Sequence, residues 1–300
     1  MKVNNLKIII TIPAYNEEHT LPKVIGEIND TLLSLNYGKQ QYKILVLDDG
    51  SVDRTAEVAR KTGAIVVSNR TNRGLAETFQ REMEECLRLK AEIIVHTDAD
   101  GQYHPKHIHE MIQKVQKGYD LVLGSRFKEF TRRMPFLKKL GNKAFAKVIS
   151  SLIGKKITDS TTGYRAFTAD VAREIKFINT FTYTQEQIIK AAKQGFRITE
   201  IPIVSRRTRE SRLFKSPLQY AIKAWINIFR IYRDYNPLKF FGYTGGSLFI
   251  LGLLLGIFIF FEVLLTGSVG GIPRVILSAL LMMVGIQIIL FGFLADMIKR

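Results

Sequence analysis

Cysteine is almost absent: Cys86 stands alone among 300 residues, so no intrachain disulfide can form. That fits a reducing compartment. A Gly-rich phosphate loop is lacking too. Neither a Walker motif nor the dinucleotide glycine signature occurs, which excludes a pocket built on a glycine cradle. The opening residues, MKVNNLKIIITIPAYNEE, lack the long apolar core and small-residue cleavage site of a signal peptide and read as a first strand. Charge is missing where it matters most. Residues 240–261 and 275–295 contain none, and each run is long enough to cross a bilayer core of roughly 20 residues. The Gly-rich linker between them makes the pair a helical hairpin.

Acid is scarce relative to base. The chain carries 44 Lys and Arg against 27 Asp and Glu, a net charge of +17. After residue 239 only Glu262, Arg274, Asp296, Lys299 and Arg300 are charged, so the excess sits in the first part. Such an excess implies a polyanionic partner: nucleic acid, an acidic membrane surface or a phosphorylated substrate. The positive-inside rule then expects the basic part and the C-terminal Lys-Arg in the cytoplasm, with only the linker outside. Expected domains are a cytoplasmic region 1–216, an interface helix 217–239 and a transmembrane hairpin 240–300.

The first part alternates apolar β-rich runs with helical patterns. KIIITIPAYN, YKILVLDDGS, AIVVSN, EIIVHTDAD and YDLVLGSR read as strands, with helices between them. Near-continuous apolar strands separated by helices predict an α/β fold, a mostly parallel sheet covered on both faces. In such sheets ligands bind beyond the carboxyl ends of the strands. The polar clusters PAYNEE, DDGSVD, HTDADGQ and GSR lie at those ends.

Asp98 and Asp100 alternate on an extended chain, so they reach one ion only if the strand bends, and Gly101 permits that. Oxygen ligands suit Mg²⁺ or Mn²⁺. The competing reading is a solvated loop or helix cap. His104, His107 and His109 raise zinc as a rival, but positions two apart do not share a helix face.

PAYNEE (13–18), DDGSVDRT (48–55), NRGLAETFQ (72–80), DADGQYHP (98–105), GSR (124–126) and DSTTGYRAF (159–167) occur in this order. Together they resemble the inverting family 2 glycosyltransferases of GT-A fold, and within them the dolichyl- or polyprenyl-phosphate hexosyltransferases. The resemblance covers about residues 6–215. It implies that Pro13, Tyr15 and Glu17 line a nucleotide pocket and that Asp48 and Asp49 contact base and ribose. It places a Mg²⁺ or Mn²⁺ ion on Asp98, Asp100 and Gln102. Arg126 would face a lipid phosphate, aided by Lys138, Asn142, Arg207 and Arg212, with Asp100 and Arg126 as the catalytic pair. Glu186 matches an acidic position typical of the group. The chain departs from the pattern in having Lys138 and Lys139 where arginine is expected, and Arg209 where a glycine is expected. Lysine lacks the bidentate fork, which weakens that phosphate contact.

The implied partners are a nucleotide sugar (GDP-mannose, UDP-glucose or UDP-N-acetylglucosamine), dolichyl or polyprenyl phosphate, and a membrane. Nucleic acid is not among them, since no nucleic-acid motif appears. The implied membrane is archaeal or bacterial plasma membrane, or endoplasmic reticulum. A phosphate monoester has a second pKa near ~6, so as acceptor it needs little help from a general base, and no activated His or Ser stands out. Residues 134–153 and 217–235 each set a basic face against an apolar one, as membrane-interface helices do; the alternative is a surface helix packed on the core. A processive polysaccharide synthase and a non-enzymatic basic membrane protein are the rival functions.

Overall fold

The computed structural model describes residues 7–127, 136–177, 183–206, 217–268 and 271–298. In chain order the first region comprises β1 (Ile8–Ala14), α1 (Leu21–Ser34), β2 (Tyr42–Asp48), α2 (Thr55–Lys61), β3 (Ile65–Ser68) and α3 (Leu75–Arg88). Next come β4 (Ile93–His96), a 3-10 turn at Pro105–His107, α4 (Ile108–Gln116), β5 (Leu121–Ser125) and α5 (Phe136–Ile153). Then follow β6 (Arg165–Thr168), α6 (Ala169–Glu174), α7 (Tyr183–Lys193), β7 (Ile198–Pro202) and α8 (Pro217–Tyr235), and finally α9 (Pro237–Thr266) and α10 (Ile272–Ile298).

The strands form one sheet ordered β3-β2-β1-β4-β6-β5-β7. All seven residues of β1 are buried, because a central parallel strand is covered on both faces. Leu21, Val24, Ile25, Ile28 and Leu32 of α1 lie on the core side at helical spacing. Chain order reverses across β1, which pairs in parallel with β2 on one side and β4 on the other. That reversal opens a crevice at the strands' carboxyl ends.

The sequence pattern accounts for β1 to β5 and overlooks β6 and β7. β6 is antiparallel to both β4 and β5, so the sheet is mixed. Its four residues, RAFT, are too few to show a period.

Within 134–153 the basic face is outward as expected, but two positions depart from the pattern. Asn142, polar, is buried, whereas Leu140, apolar, is 55% exposed. The inward face is Asn142, Phe145, Ala146 and Ile149, and α5 packs against α7. Lys139, Lys143 and Lys147 form an outward basic ridge.

The chain divides into two compact units, Met1–Ile222 and Lys223–Arg300. The division falls inside α8. In the second unit Ile228 and Ile231 are buried, while Trp225, Phe229, Arg230 and Arg233 are exposed. Helices α9 and α10 are long and apolar enough to cross a bilayer. They meet along small residues. A Cβ on Gly285 would sit 2.7 Å from the Gly245 carbonyl oxygen, and one on Gly252 would sit 2.8 Å from the Ser278 carbonyl. The Ser278 hydroxyl donates to the Gly252 carbonyl at 2.8 Å. Large side chains such as Leu254, Phe258, Phe260, Leu280 and Phe291 point outward. Outward apolar bulk and inward glycine suit a helix pair surrounded by lipid.

Candidate active site

Three loops leave the carboxyl ends of β1, β2 and β4. Pro13 is buried near the end of β1, and Tyr15 just after it is 40% exposed. Their loop is tied to the one after β2: Asn16 N–H donates to Ser51 Oγ at 2.9 Å, and Glu17 N–H to Thr55 Oγ1 at 2.8 Å. The buried Glu17 carboxylate accepts from the Thr20 hydroxyl at 2.6 Å.

Asp48 and Asp49, adjacent in sequence, are used differently. The Asp49 carboxylate accepts from Asn69 Nδ2 at 2.7 Å, Arg73 N–H at 2.9 Å and Gly74 N–H at 3.0 Å. Asp49 therefore pins the loop that starts α3. Asp48 accepts from Ser51 N–H at 3.0 Å through a single oxygen, Oδ1. Gly50 (φ +72°) is required between them and the facing chain, because a Cβ there would lie 2.8 Å from the Asn72 nitrogen.

After β4 the chain bends at Gly101 (φ +72°), and Asp100 Oδ1 accepts the Gln102 N–H at 2.9 Å. Asp98 is half-buried. A Cβ on Gly163 would lie 2.8 Å from its Oδ1, so only glycine lets that loop approach the carboxylate. Burial, aided by the charges of Asp100 and Glu82, pushes the Asp98 carboxyl up to about 6, against the opposing pull of His96 and Arg126. Among the described residues no donor is hydrogen-bonded to Asp98.

A carboxylate without a donor, beside a second carboxylate, is a setting a cation satisfies. Among the described residues no cluster of three or more His, Cys, Asp or Glu side chains forms a complete metal cage. Two carboxylates and an amide fit Mg²⁺ or Mn²⁺, which take few protein ligands and complete their shell with phosphate and water. The histidines are spent elsewhere. His107 Nε2 accepts from Val204 N–H at 3.2 Å, and His109 meets the Tyr37 hydroxyl at 2.8 Å. Burial lowers His107 to about 4, with Lys106 and His104 adding to the effect. No shared zinc site forms among the described residues.

Arg126, just after β5, is buried and forked onto Asp159: Nε to Oδ2 at 2.7 Å and Nη2 to Oδ1 at 2.9 Å. Nη2 also donates to Thr161 Oγ1 at 2.9 Å. Burial alone would depress this guanidinium, but its neighbours raise it above its usual value. Tyr103, pushed up to about 12 by burial, is neutral at pH 7, so the carboxylates of Asp159 and Asp98 favour the charged Arg126. Asn142 is buried in α5, and Glu186 is buried in the first turn of α7, 2.7 Å from Lys190. The Lys138 side chain, Arg207 and Arg212 lie outside the described residues. The neighbouring segment is described: Arg206 N–H donates to the Gln102 carbonyl at 2.8 Å, and its Nη1 lies 2.6 Å from Glu27.

Sequence reasoning names Asp98, Asp100 and Arg126 but not Asp159, which binds Arg126 from 33 residues away. The motif DSTTGYRAF, which begins with Asp159, carries the signal.

Residues 9–176 match the family described as glycosyl transferase family 2. The chain belongs to that family. Residues 236–300 match the GtrB C-terminal hairpin, so this glycosyltransferase carries a second unit of recognised type, and its two apolar helices indicate membrane association. An uncharacterised Methanocaldococcus jannaschii protein is 37% identical over 217 residues, covering 70% of this chain and 86% of that one. A Haloferax volcanii protein named dolichyl-phosphate hexose transferase is 31% identical over 205 residues, covering 68% and 85%. Among solved structures, glucosyl-3-phosphoglycerate synthase from Mycobacterium tuberculosis with Mn²⁺ and UDP-glucose superposes with a TM-score of 0.59. Its identity is 21%, over 75% of this chain and 78% of that one, a likeness of fold.

Proposed function

We propose that this glycosyltransferase moves a hexose from a nucleotide diphosphate sugar to a polyprenyl or dolichyl phosphate, with inversion at C1. One observation carries the reading. A carboxylate pair, with no donor on Asp98 among the described residues, lies at the switch-point crevice of a chain that also bears a membrane-length hairpin. The Haloferax relative's name supports the acceptor class.

Asp98, Asp100 and the Gln102 amide would hold the divalent cation. When bound, that ion screens the diphosphate charge that develops as the C1–O bond breaks. Tyr15, Pro13, Glu17 and Asp48 would line the nucleotide side, with Asp49 shaping it by anchoring the 69–74 loop. Arg126 sits at the acceptor side, oriented by Asp159, where its charge would attract the lipid phosphate; Asn142, Lys138, Arg207 and Arg212 would add to that attraction. The acceptor phosphate is largely dianionic at neutral pH, so no side chain need take its proton. The sheet domain would lie at the cytoplasmic face, because a nucleotide sugar cannot enter the bilayer and a polyprenyl chain cannot leave it.

The test is transfer of labelled sugar by the full chain into organic-extractable lipid. GDP-mannose, UDP-glucose and UDP-N-acetylglucosamine are offered in turn with a polyprenyl phosphate and Mn²⁺ or Mg²⁺. One donor should give a product of inverted anomeric configuration. Asp100→Ala should lose at least ~10³-fold in rate while folding normally, because the cation's transition-state contribution amounts to several kcal/mol. Retained configuration, or transfer untouched by chelator, would sink the mechanism.

A further inference from the structure

Behind the Asp98 loop lies a buried polar group that the proposed reaction does not use. Glu82 on α3 and His96, the last residue of β4, are each fully buried. His96 Nδ1 lies 3.1 Å from Glu82 Oε2, an ion-pair distance at an angle that makes no hydrogen bond. The other Glu82 oxygen accepts from the Thr11 hydroxyl of β1. The Thr11 carbonyl in turn accepts the Thr97 N–H at 3.1 Å, one residue before Asp98. Phe79 and Tyr183 wall the imidazole, with ring centroids 4.8 and 6.4 Å away. An acid and a histidine in an apolar layer cost desolvation energy that ordinary core residues avoid. Their placement gives that cost a use: α3, β1 and the root of the Asp98 loop are joined through one carboxylate.

We propose that Glu82 and His96 are positioning residues that fix the end of β4 and so set Asp98 for cation binding. The inference rests on the cation reading above, and it makes Thr11 the link between helix and loop. Glu82→Gln keeps the shape and the acceptor for Thr11 but removes the charge; His96→Gln removes the ring.

The measurement is Mn²⁺ affinity of the full chain, followed by electron paramagnetic resonance with UDP or GDP present, alongside thermal unfolding. Removing a group that orients metal ligands weakens binding by about 10- to 100-fold, so each single variant should lose roughly tenfold in Mn²⁺ affinity. Glu82→Gln/His96→Gln, an amide pair able to bond to itself, should recover most of that loss. Folded single variants that unfold at lower temperature but bind Mn²⁺ as the parent does would overturn the proposal. Where the single variants fail to fold, Thr11→Val, which exchanges the hydroxyl for a methyl group, carries the same test with a smaller loss expected and an unchanged affinity as the refutation. A parent chain that binds no Mn²⁺ with either nucleotide removes the cation reading itself, which separates that failure from this one.

Discussion

Two arginine–carboxylate forks, one in each unit, invite comparison. Arg126 grips Asp159 with both side chains almost fully buried, at 7% and 0% exposure. Arg274 meets Glu262 through two contacts of 3.1 Å, at 40% and 27% exposure, where α10 begins and α9 is ending. The chemistry is the same; the surroundings are not. A buried pair is costly to break, because the survivor is left charged away from water, while an exposed pair contributes little either way. The sheet's carboxyl edge is thus organised by charge, and the hairpin by close backbone approach.

The sharpest break in that contrast is Arg126→Ala. It strands Asp159 in the interior and should destabilise the sheet domain by about 3–5 kcal/mol, read by denaturant unfolding. Replacing both partners, as in Arg126→Met/Asp159→Leu, should recover much of the stability but none of the acceptor affinity. A stable Arg126→Ala variant with normal lipid-phosphate KM would show that the fork serves neither purpose.

A second effect separates the regions by pH. Asp98 has its carboxyl raised from 3.8 to about 6, so without a cation its ionisation opposes folding. The penalty is absent below about pH 4, grows between 4 and 6 and is constant above. Asp98→Asn, measured free of metal, should therefore be more stable than the parent above pH 6, and the advantage should vanish below pH 4. Cation and proton compete for the carboxylate, so Mn²⁺ affinity should fall by about tenfold per unit below pH 6. The hairpin's packing should show no such dependence.

The two units were also unequally legible in sequence. Charge-free runs announce the hairpin, but not that Gly245, Gly252, Ser278 and Gly285 would face one another, since their spacing has meaning only once the helices are antiparallel. In the sheet domain, β1 to β5 follow from apolar runs ending in polar clusters. β7 escaped because ITEIP mixes apolar and polar residues, and only its partner β5 makes it a strand. Asp98 and Asp100 are visible as a motif. The role of Asp49 as a clamp is not, because its donors come from residues 69–74. Glu82 reads as a surface acid in a helix rich in charge; only the fold puts it against His96.

A third prediction probes the hairpin's own principle. A Cβ on Gly285 would lie 2.7 Å from both the Gly245 carbonyl oxygen and the Phe249 nitrogen, closer than real contacts allow. Gly285→Ala should force α9 and α10 apart at a cost of about 1–3 kcal/mol, the usual range for overpacking. Spin labels on the two helices would report the added separation. Mn²⁺ affinity of the sheet domain should not change; if it drops, the two units are energetically coupled and the contrast between them fails.

The smallest effect is expected at Glu262→Gln. The Arg274 fork is part-exposed and close to the C-terminal end of α9, where a headgroup region would supply water and counter-charge. Charges near helix ends reach the interface at little cost. The loss should stay within about 1 kcal/mol by unfolding in detergent, and should shrink further in high salt. A loss above ~2 kcal/mol that salt does not touch would place the pair in hydrocarbon. The bilayer boundary would then lie beyond the end of α9, and Glu262 and Arg274 would resemble Arg126 and Asp159 after all.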